Sequence, residues 1–194
     1  MHHDPTTGIT AWVLTEGLTD APVDRVAAHL AADIAARTTP SIGARNAIEL
    51  ARTAVNARFS RPGIDQGDAT IAVLTSASAT STRRLTLAWA GNITAYGATT
   101  RWFSALTDHP TALPTATVRS GSIRVNYIDR PCTQIALAGH GCAQLSVATV
   151  RDLAHGRLRT VQLRGCNKPR PWRTWSLFGS ERPPRRSQRK GMPS

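Results

Sequence analysis

The sequence contains few cysteines and no long apolar segment. Its three cysteines, Cys132, Cys142 and Cys166, are too few and too widely spaced to form a disulfide framework. It has no run of about 18 apolar residues, so no membrane-spanning segment is predicted. The first residues also lack the basic start and the apolar stretch of a secretory signal. From these absences we expect a cytoplasmic protein.

Acidic residues are also scarce, with 12 Asp and Glu against 24 Lys and Arg, and the net charge is +12. The excess is uneven. Residues 1–150 carry 12 Arg and 10 acidic residues (net +2), whereas residues 151–194 carry 12 basic and 2 acidic residues (net +10). A chain of 194 residues is long enough for one domain with a core. We therefore expect a domain over residues 1–165 and a basic, disordered tail over residues 166–194.

Two helices are predicted after a first strand in residues 8–17. Asp20 is a candidate N-cap of the first helix, and Pro22 suits its first turn, where an N–H is not needed. The Thr-Thr-Pro sequence at 38–40 is predicted to end it, and Ser41 to cap the second. The buried face of the first helix is predicted from helical spacing as Val23, Val26, Leu30 and Ile34. That of the second is predicted as Ile48, Ala51, Val55 and Phe59.

From residue 68 onward the hydrophobic period shortens to two, which predicts strands. Leu85, Leu87 and Trp89 alternate with small residues, and Ile123, Val125 and Tyr127 are predicted to share one face. The predicted strands cover 68–76, 83–91, 93–104, 121–129, 133–139 and 159–165, with a short helix at 146–154. This order predicts an α+β fold in which two helices pack on antiparallel sheets.

Six short motifs occur in an order that resembles the metal-dependent 2C-type Ser/Thr protein phosphatases. The most specific is Leu-Thr-Asp-His-Pro at 106–110, which resembles that family's Leu-Thr-x-Asp-His-Ser segment with one residue fewer. The likeness covers residues 8–165 in shortened form. The other motifs are VLTEGLTD (13–20), GDATIAVL (67–74), LTLAWAGNITAYG (85–97), QIALAGHG (134–141) and GRLRTVQL (156–163).

The resemblance implies an antiparallel β-sandwich flanked by helices, an α-β-β-α arrangement. It also implies two Mg²⁺ or Mn²⁺ ions, held by carboxylates at one end between the sheets, with a bridging water that attacks the phosphorus of phosphoserine. Hard divalent ions prefer negatively charged oxygen ligands, and two close ions need several carboxylates to offset their repulsion.

The chain departs from the family at the metal-binding positions. The first carboxylate position is Glu16, followed by Gly17, and the hairpin aspartate is replaced by Asn92. His140 stands at the next aspartate position, and Arg157 (or the next residue, if the register slips by one) at the last. Two like charges about 4 Å apart repel by about 4 kcal/mol at an effective dielectric near 20. An arginine in place of an aspartate therefore removes an attraction to the metals and adds a repulsion.

We predict from these departures a catalytically impaired, phosphatase-like domain that binds a phosphoprotein or a regulatory partner. No cofactor is expected in that case. The alternative is an active, divergent Ser/Thr phosphatase that uses Mg²⁺ or Mn²⁺ through Glu16 and neighbouring residues.

Two further groups contain residue types that bind metals. His140, Cys132 and Cys142 include zinc ligands, but their spacing differs from a Cys-x₂₋₄-Cys pair, and an exposed turn histidine is the simpler interpretation. A second possible group joins Glu16 to two carboxylates that are more simply a helix cap and a turn residue. Those two carboxylates are Asp20 and Asp68.

Asp108 and His109 have the residue types of an acid–base pair. The resemblance assigns their segment to a structural turn, and we adopt that interpretation.

The tail interleaves cations with aromatic rings. Basic side chains attract phosphates, and aromatic faces stack on bases or lie at a membrane interface. A solubilising tail without an ordered partner is the alternative. The residues predicted to contact nucleic acid or an anionic surface are Lys168, Arg170, Trp172, Arg173, Trp175, Arg185 and Arg186.

Overall fold

The computed structural model has the predicted α+β class, with two helices and antiparallel strands. It describes residues 1–60, 63, 66–79, 82–98, 103–107, 117–129 and 134–138, and strand residues 160–161, 170–171 and 174–175. The helices are α1 (Pro22–Ile42) and α2 (Ala44–Phe59). The strands are β1 (His2–Asp4), β2 (Ile9–Gly17), β3 (Ala69–Ala79), β4 (Thr82–Ala90), β5 (Thr94–Ala98), β6 (Phe103–Ala105), β7 (Arg124–Ile128), β8 (Gln134–Ala138), β9 (Thr160–Val161), β10 (Arg170–Pro171) and β11 (Thr174–Trp175).

The strands form two antiparallel sheets and one short ribbon. The first sheet has the order β1-β2-β3-β4-β7, and the second has the order β11-β8-β5-β6. The ribbon is β9 with β10. Within the first sheet, β3 is central and pairs with β2 and β4 over most of its length.

The two sheets share one apolar core. Leu85, Leu87 and Trp89 of β4 are buried together, as their alternation predicts. Ile135 and Leu137 of β8, in the second sheet, belong to the same buried cluster. The apolar faces of the two sheets therefore pack against each other as a sandwich.

The helices cover the other face of the first sheet. Ala27, Ala31 and Ala35 of α1 are fully buried, and such small side chains let a helix approach its neighbours closely. The helix-side core also contains Ile71 and Val73 of β3. The buried face predicted for α2 is confirmed at all four positions: Ile48, Ala51, Val55 and Phe59.

The start of α1 and its buried face differ from the prediction. The N-cap residue is Ala21 and not Asp20, and no side chain caps the helix there. Val26 is 49% exposed, because the buried stripe runs through the alanines. The prediction placed large aliphatic residues on the buried face, whereas close packing of α1 against α2 and the sheet requires small residues there. The other predicted positions are only partly buried against the same core: Val23, Leu30 and Ile34.

The helix also continues past its predicted end. Pro40 is buried inside α1, and Ser41 belongs to the last turn and does not cap α2. A proline lacks the N–H that would bond to the carbonyl four residues back, so the helix loses one hydrogen bond at this position. Gly43 ends the helix with a φ of 81°, and its N–H donates to the carbonyl of Thr39 at 2.9 Å.

The strand prediction needs three corrections. β1 (His-His-Asp) was not predicted, because it contains no apolar residue. Residues 93–104 form two strands, β5 and β6, which pair with each other. Ile123 and Val125 pack on the helix-side core as predicted, but Tyr127 is 72% exposed. Alternation gives the face on which a side chain lies, and it does not show whether another element covers that face.

In the C-terminal region, the structure describes only short pieces of the chain. β9 agrees with part of the strand predicted at 159–165. β11 pairs with β8 at the edge of the second sheet. The helix predicted at 146–154, the boundary at residue 165 and most of the tail lie outside the described residues. Among the residues that the structure describes, neither helix is long and apolar enough to span a membrane.

Ala47 tests the close packing of α2. It is fully buried, whereas Ala57 on the same helix is exposed. We expect Ala47→Leu to lower the free energy of unfolding by about 1–3 kcal/mol, because the added atoms overpack the core. Ala57→Leu is the matched control, and it should change stability by less than about 0.5 kcal/mol. Urea denaturation measures both values, and equal effects would contradict the close approach of the helix.

Candidate functional site

The strand register brings several chain segments to one end of the sandwich. Glu16, near the end of β2, lies opposite Thr70, near the start of β3. β4 ends at Ala90 beside the same part of β3, and the turn that contains Asn92 follows. β5 then begins at Thr94, opposite the end of β8. Glu16, Thr70 and Asn92 therefore share this end.

Glu16 occupies the face of β2 that is directed between the sheets. Side chains alternate along a strand, and Trp12 and Leu14 on the same face pack in the inter-sheet core. The Oε2 atom of Glu16 and the Oδ1 atom of Asn92 are both buried from solvent. The described residues thus place a buried carboxylate oxygen and a buried amide oxygen where the apolar layer ends.

A second carboxylate, that of Asp24, fixes the chain that follows Gly17. Asp24 is the third residue of α1 and is only 5% exposed. Its Oδ2 atom accepts hydrogen bonds from the N–H of Thr19 at 2.8 Å and from the Oγ1 of Thr19 at 2.5 Å. Its Oδ1 atom accepts one from the N–H of Asp68 at 2.8 Å. One side chain therefore joins the end of β2, the start of α1 and the residue before β3.

The charge of Asp24 is stabilised by these donors. Burial by itself raises the pKa of Asp24, because it penalises the charged form. The hydrogen bonds from Thr19 and Asp68 favour the charged form and outweigh burial, so the pKa of Asp24 lies below its ordinary value. The start of a helix also favours a negative charge. Asp24 is therefore an ionised carboxylate whose oxygens are occupied by donors within the fold.

Asp68 extends the network to a distant segment. Its Oδ1 atom accepts hydrogen bonds from the N–H of Ala69 at 2.7 Å and from the N–H of Arg119 at 3.2 Å. The Nε of Arg52, on α2, donates to the carbonyl of Val118 at 2.7 Å. The loop that contains Val118 and Arg119 is thus tied to both β3 and α2.

Two glycines permit this close packing. A Cβ atom on Gly17 would lie 2.9 Å from the Cβ of Asp24, and one on Gly67 would lie 2.4 Å from the carbonyl oxygen of Val23. Neither distance leaves room for a side chain. The glycine that follows Glu16 is therefore explained by close packing against Asp24.

The described residues do not fit a pair of Mg²⁺ or Mn²⁺ ions. They contain no group of three or more His, Cys, Asp or Glu side chains that could hold a metal. The trio of Glu16, Asp20 and Asp68 therefore does not form the single-cation site considered from the sequence. At the sandwich end, Glu16, the backbone of Gly17 and Asn92 offer one negative charge, whereas two divalent ions need several.

Many predicted site residues lie outside the described part of the chain. In the domain these are His140, Arg157, Cys132, Cys142, Asp108 and His109. In the tail they are Lys168, Trp172, Arg173, Arg185 and Arg186. Arg170 and Trp175 fall in described strand pieces, for which only the backbone pairing is defined. The zinc, acid–base and tail-binding hypotheses therefore stay predictions.

The first two residues of the most specific motif hold β5 in place. The N–H of Leu106 donates to the carbonyl of Ala95 at 2.7 Å, and the Oγ1 of Thr107 accepts from the N–H of Ala95 at 3.0 Å. Thr107 is buried. These contacts agree with a structural role for this segment.

Sequence reasoning missed Asp24. A partial signal exists, because an acidic residue in the first turn of a helix is favoured by the N–H groups at the helix start. The five-residue spacing from Thr19 to Asp24 does not match a capping box, so it does not predict the two local hydrogen bonds. Nor does it predict the third bond, from Asp68, which is 44 residues away.

Comparison with known proteins bears on the fold. No protein-family profile and no curated protein sequence matches the chain. Solved structures do match. The catalytic domain of the Ser/Thr protein phosphatase PstP, in complex with two manganese ions, is 14% identical with a TM-score of 0.61, over 75% of this chain and 74% of that one. The Ser/Thr phosphatase Stp1 from Staphylococcus aureus is 14% identical with a TM-score of 0.61, over 78% and 73%.

A third similar structure is PppA, a key regulatory component of T6SS in Pseudomonas aeruginosa. It is 16% identical with a TM-score of 0.60, over 79% of this chain and 74% of that one. The similar structures are bacterial 2C-type Ser/Thr phosphatases, so the resemblance predicted from motif order is confirmed for the fold. At such low identity the likeness establishes the fold, and activity has to be argued from the site.

Asp24→Asn tests the network beside the candidate site. An amide offers one accepting oxygen in place of two, so we expect a loss of about 1–3 kcal/mol in stability near pH 7. Because the pKa of Asp24 is lowered in the folded state, its stabilisation is present above the unfolded pKa of about 3.9 and is lost as pH falls through the folded pKa. The difference between the variant and the original chain should therefore shrink as the pH falls below about 4.

Denaturant unfolding at several pH values provides this measurement. The matched control is Asp33→Asn on the same helix, where an exposed carboxylate pairs with Arg37 at 2.5 Å. That exposed pair should contribute less than about 1 kcal/mol. A deficit for Asp24→Asn that stays constant down to low pH would contradict the role of its charge.

Proposed function

We propose that this chain is a catalytically impaired 2C-type phosphatase-like domain that acts by binding a regulatory partner or a phosphoprotein. One observation carries the proposal. Of the described residues at the end of the sandwich where the family's metals would lie, Glu16 supplies the only carboxylate directed between the sheets, and Asn92 supplies a neutral amide.

Charge balance is the physical reason. Two divalent cations close together repel each other, and several carboxylates are required to hold them and to activate a water. By the resemblance, the two remaining ligand positions fall on His140 and Arg157, which would contribute no negative charge. The site would then carry too little negative charge to hold two divalent cations. Mg²⁺ or Mn²⁺ would be needed only if the domain is active.

A binding role is supported by the fold that remains. The network of Asp24 and Asp68 holds the strand ends with donors from the chain itself. The surface at the end of the sandwich can therefore persist without metals. The similar structure of PppA, described as a regulatory component, offers a precedent for regulation by a protein of this fold.

The purified chain should show no Mn²⁺-dependent hydrolysis of p-nitrophenyl phosphate or of a phosphoserine peptide. The reason is the missing negative charge at the metal positions. The assay should run beside an active 2C-type phosphatase, and calorimetric titration with Mn²⁺ should show no tight site.

Two variants make this result decisive. Robust turnover that a chelator removes, together with a tight Mn²⁺ site that Glu16→Ala abolishes, would establish the alternative of an active, divergent phosphatase. A combined Asn92→Asp, His140→Asp and Arg157→Asp variant restores the carboxylates, and gain of Mn²⁺ binding by it would support the proposed loss.

We also propose that a helix covers the outer face of the second sheet and so completes the α-β-β-α arrangement. Thr94 and Tyr96 of β5 alternate with the inward-directed Ala95, so they lie on the outer face of the second sheet. Both are nonetheless buried, at 4% and 7% exposure, and burial raises the pKa of Tyr96. We assign the cover of this face to the helix predicted at 146–154, which gives one domain over residues 1–165 in a cytoplasmic protein.

For the tail, residues 166–194, we propose a second contact with nucleic acid or an anionic surface. We expect binding to single-stranded DNA or to anionic vesicles that weakens steeply with salt. Replacing Trp172 and Trp175 with Ala should weaken DNA binding by roughly 1–3 kcal/mol per stacked base that is lost. Fluorescence anisotropy and vesicle sedimentation measure the two arms. Binding that persists after deletion of residues 167–194 would exclude the tail as its source.

A further inference from the structure

A cleft of 330 Å³ lies between the edges of the two sheets. Residues 104–106, in and after β6, line one side, and residues 126–129, in and after β7, line the other. Among the described strands, β6 pairs only with β5, and β7 pairs only with β4. The Nδ2 of Asn126 donates to the carbonyl of Leu106 at 2.6 Å, which joins the two edges.

The lining of the cleft has a definite chemistry. Tyr127 presents the most exposed aromatic ring among the described residues, at 72%. Asp129 is exposed and is the only charged residue of the lining. Ala105 and Ile128 add apolar surface. An exposed aromatic ring beside a carboxylate suits an extended, proline-containing segment that carries arginine, because the ring packs on proline and the carboxylate pairs with the guanidinium.

The chain carries such a segment in its own tail. Residues 182–186 read Arg-Pro-Pro-Arg-Arg. Consecutive prolines favour the polyproline II conformation, which is already extended and loses little entropy on binding. The three arginines match the negative charge of the cleft, whereas residues 1–150 as a whole carry a small positive charge.

The chain is long enough for this contact to form within one molecule. Trp175 of β11 pairs with Ile135 of β8, and β8 is separated from β6 by β5 alone. β11 is therefore three strand spacings from β6, which corresponds to roughly 14 Å. The six residues 176–181 can span up to about 20 Å when extended, so residue 182 can reach the cleft.

We propose that the Arg-Pro-Pro-Arg-Arg segment of residues 182–186 docks in the cleft between β6 and β7 of the same molecule, against Tyr127 and Asp129. This contact straps the basic tail to the domain. It does not depend on the metal content of the sandwich end, so it stands or falls separately from the proposed loss of activity.

The test uses a labelled peptide of residues 180–190 and the full chain in two forms. One form is the original, and the other replaces the five residues 182–186 with Gln-Ala-Ala-Gln-Gln so that its own tail no longer competes. We expect the peptide to bind the substituted chain more tightly than the original. On the substituted chain, Asp129→Asn should weaken binding about three- to fivefold, and Tyr127→Ala about five- to tenfold.

Matched controls separate this site from general attraction. Asp33→Asn, an exposed acid on α1, and a scrambled peptide of the same composition test charge alone. Equal weakening by Asp33→Asn and Asp129→Asn, equal binding of the scrambled peptide, or binding that Tyr127→Ala leaves unchanged would overturn the proposal. Competition by the original tail that grows with protein concentration would assign the contact to a second copy and would also overturn it.

Discussion

The carboxylate of Asp24 is the constraint on which the described end of the sandwich depends. Its two oxygens accept donors from the chain that leaves β2 and from the residue that precedes β3. Asp68 passes the connection to the loop at Arg119. Three segments that are remote in sequence are therefore positioned by backbone donors around buried charge. Such a network is favourable only when every polar atom is satisfied, because a buried charge without donors is costly.

Strands β2, β3, β4 and β7 of the first sheet could be predicted because each has one face in a core of larger side chains, whereas β1 (His-His-Asp) has no apolar residue and was not predicted. Leu85, Leu87 and Trp89 recur with a period of two, which is typical of a strand with one buried face and not of a helix. The face of α1 could not be predicted in the same way. Most of its buried apolar residues are alanines, which are smaller than the aliphatic residues chosen for the predicted face, and one of those, Val26, is exposed. The sequence pattern also predicts that the helix ends at Pro40, although it continues for two residues after it.

The candidate site likewise contains some residues that could be predicted from the sequence and others that could not. Motif order predicted that Glu16 and Asn92 belong to one site, and the strand register places both at the same end of the sandwich. The residues that hold this end were not predictable from local spacing. The bond between Asp24 and the N–H of Asp68 joins residues 44 positions apart, and the contact of Arg52 with Val118 joins residues 66 apart. Pairing over such distances is set by the packing of α1 and α2 on the sheet.

Under the proposed function, the fold would have to be stable without the metals. If the family's aspartates were kept without metals, each pair about 4 Å apart would repel by about 4 kcal/mol at an effective dielectric near 20. A neutral Asn92 beside the inter-sheet layer removes such a repulsion. The core needs no carboxylate there, since it is built from Trp89, Ile135 and their neighbours. If the proposed loss of the metals holds, stability itself would favour the loss of the carboxylates, and the network of Asp24 would still hold the strand ends.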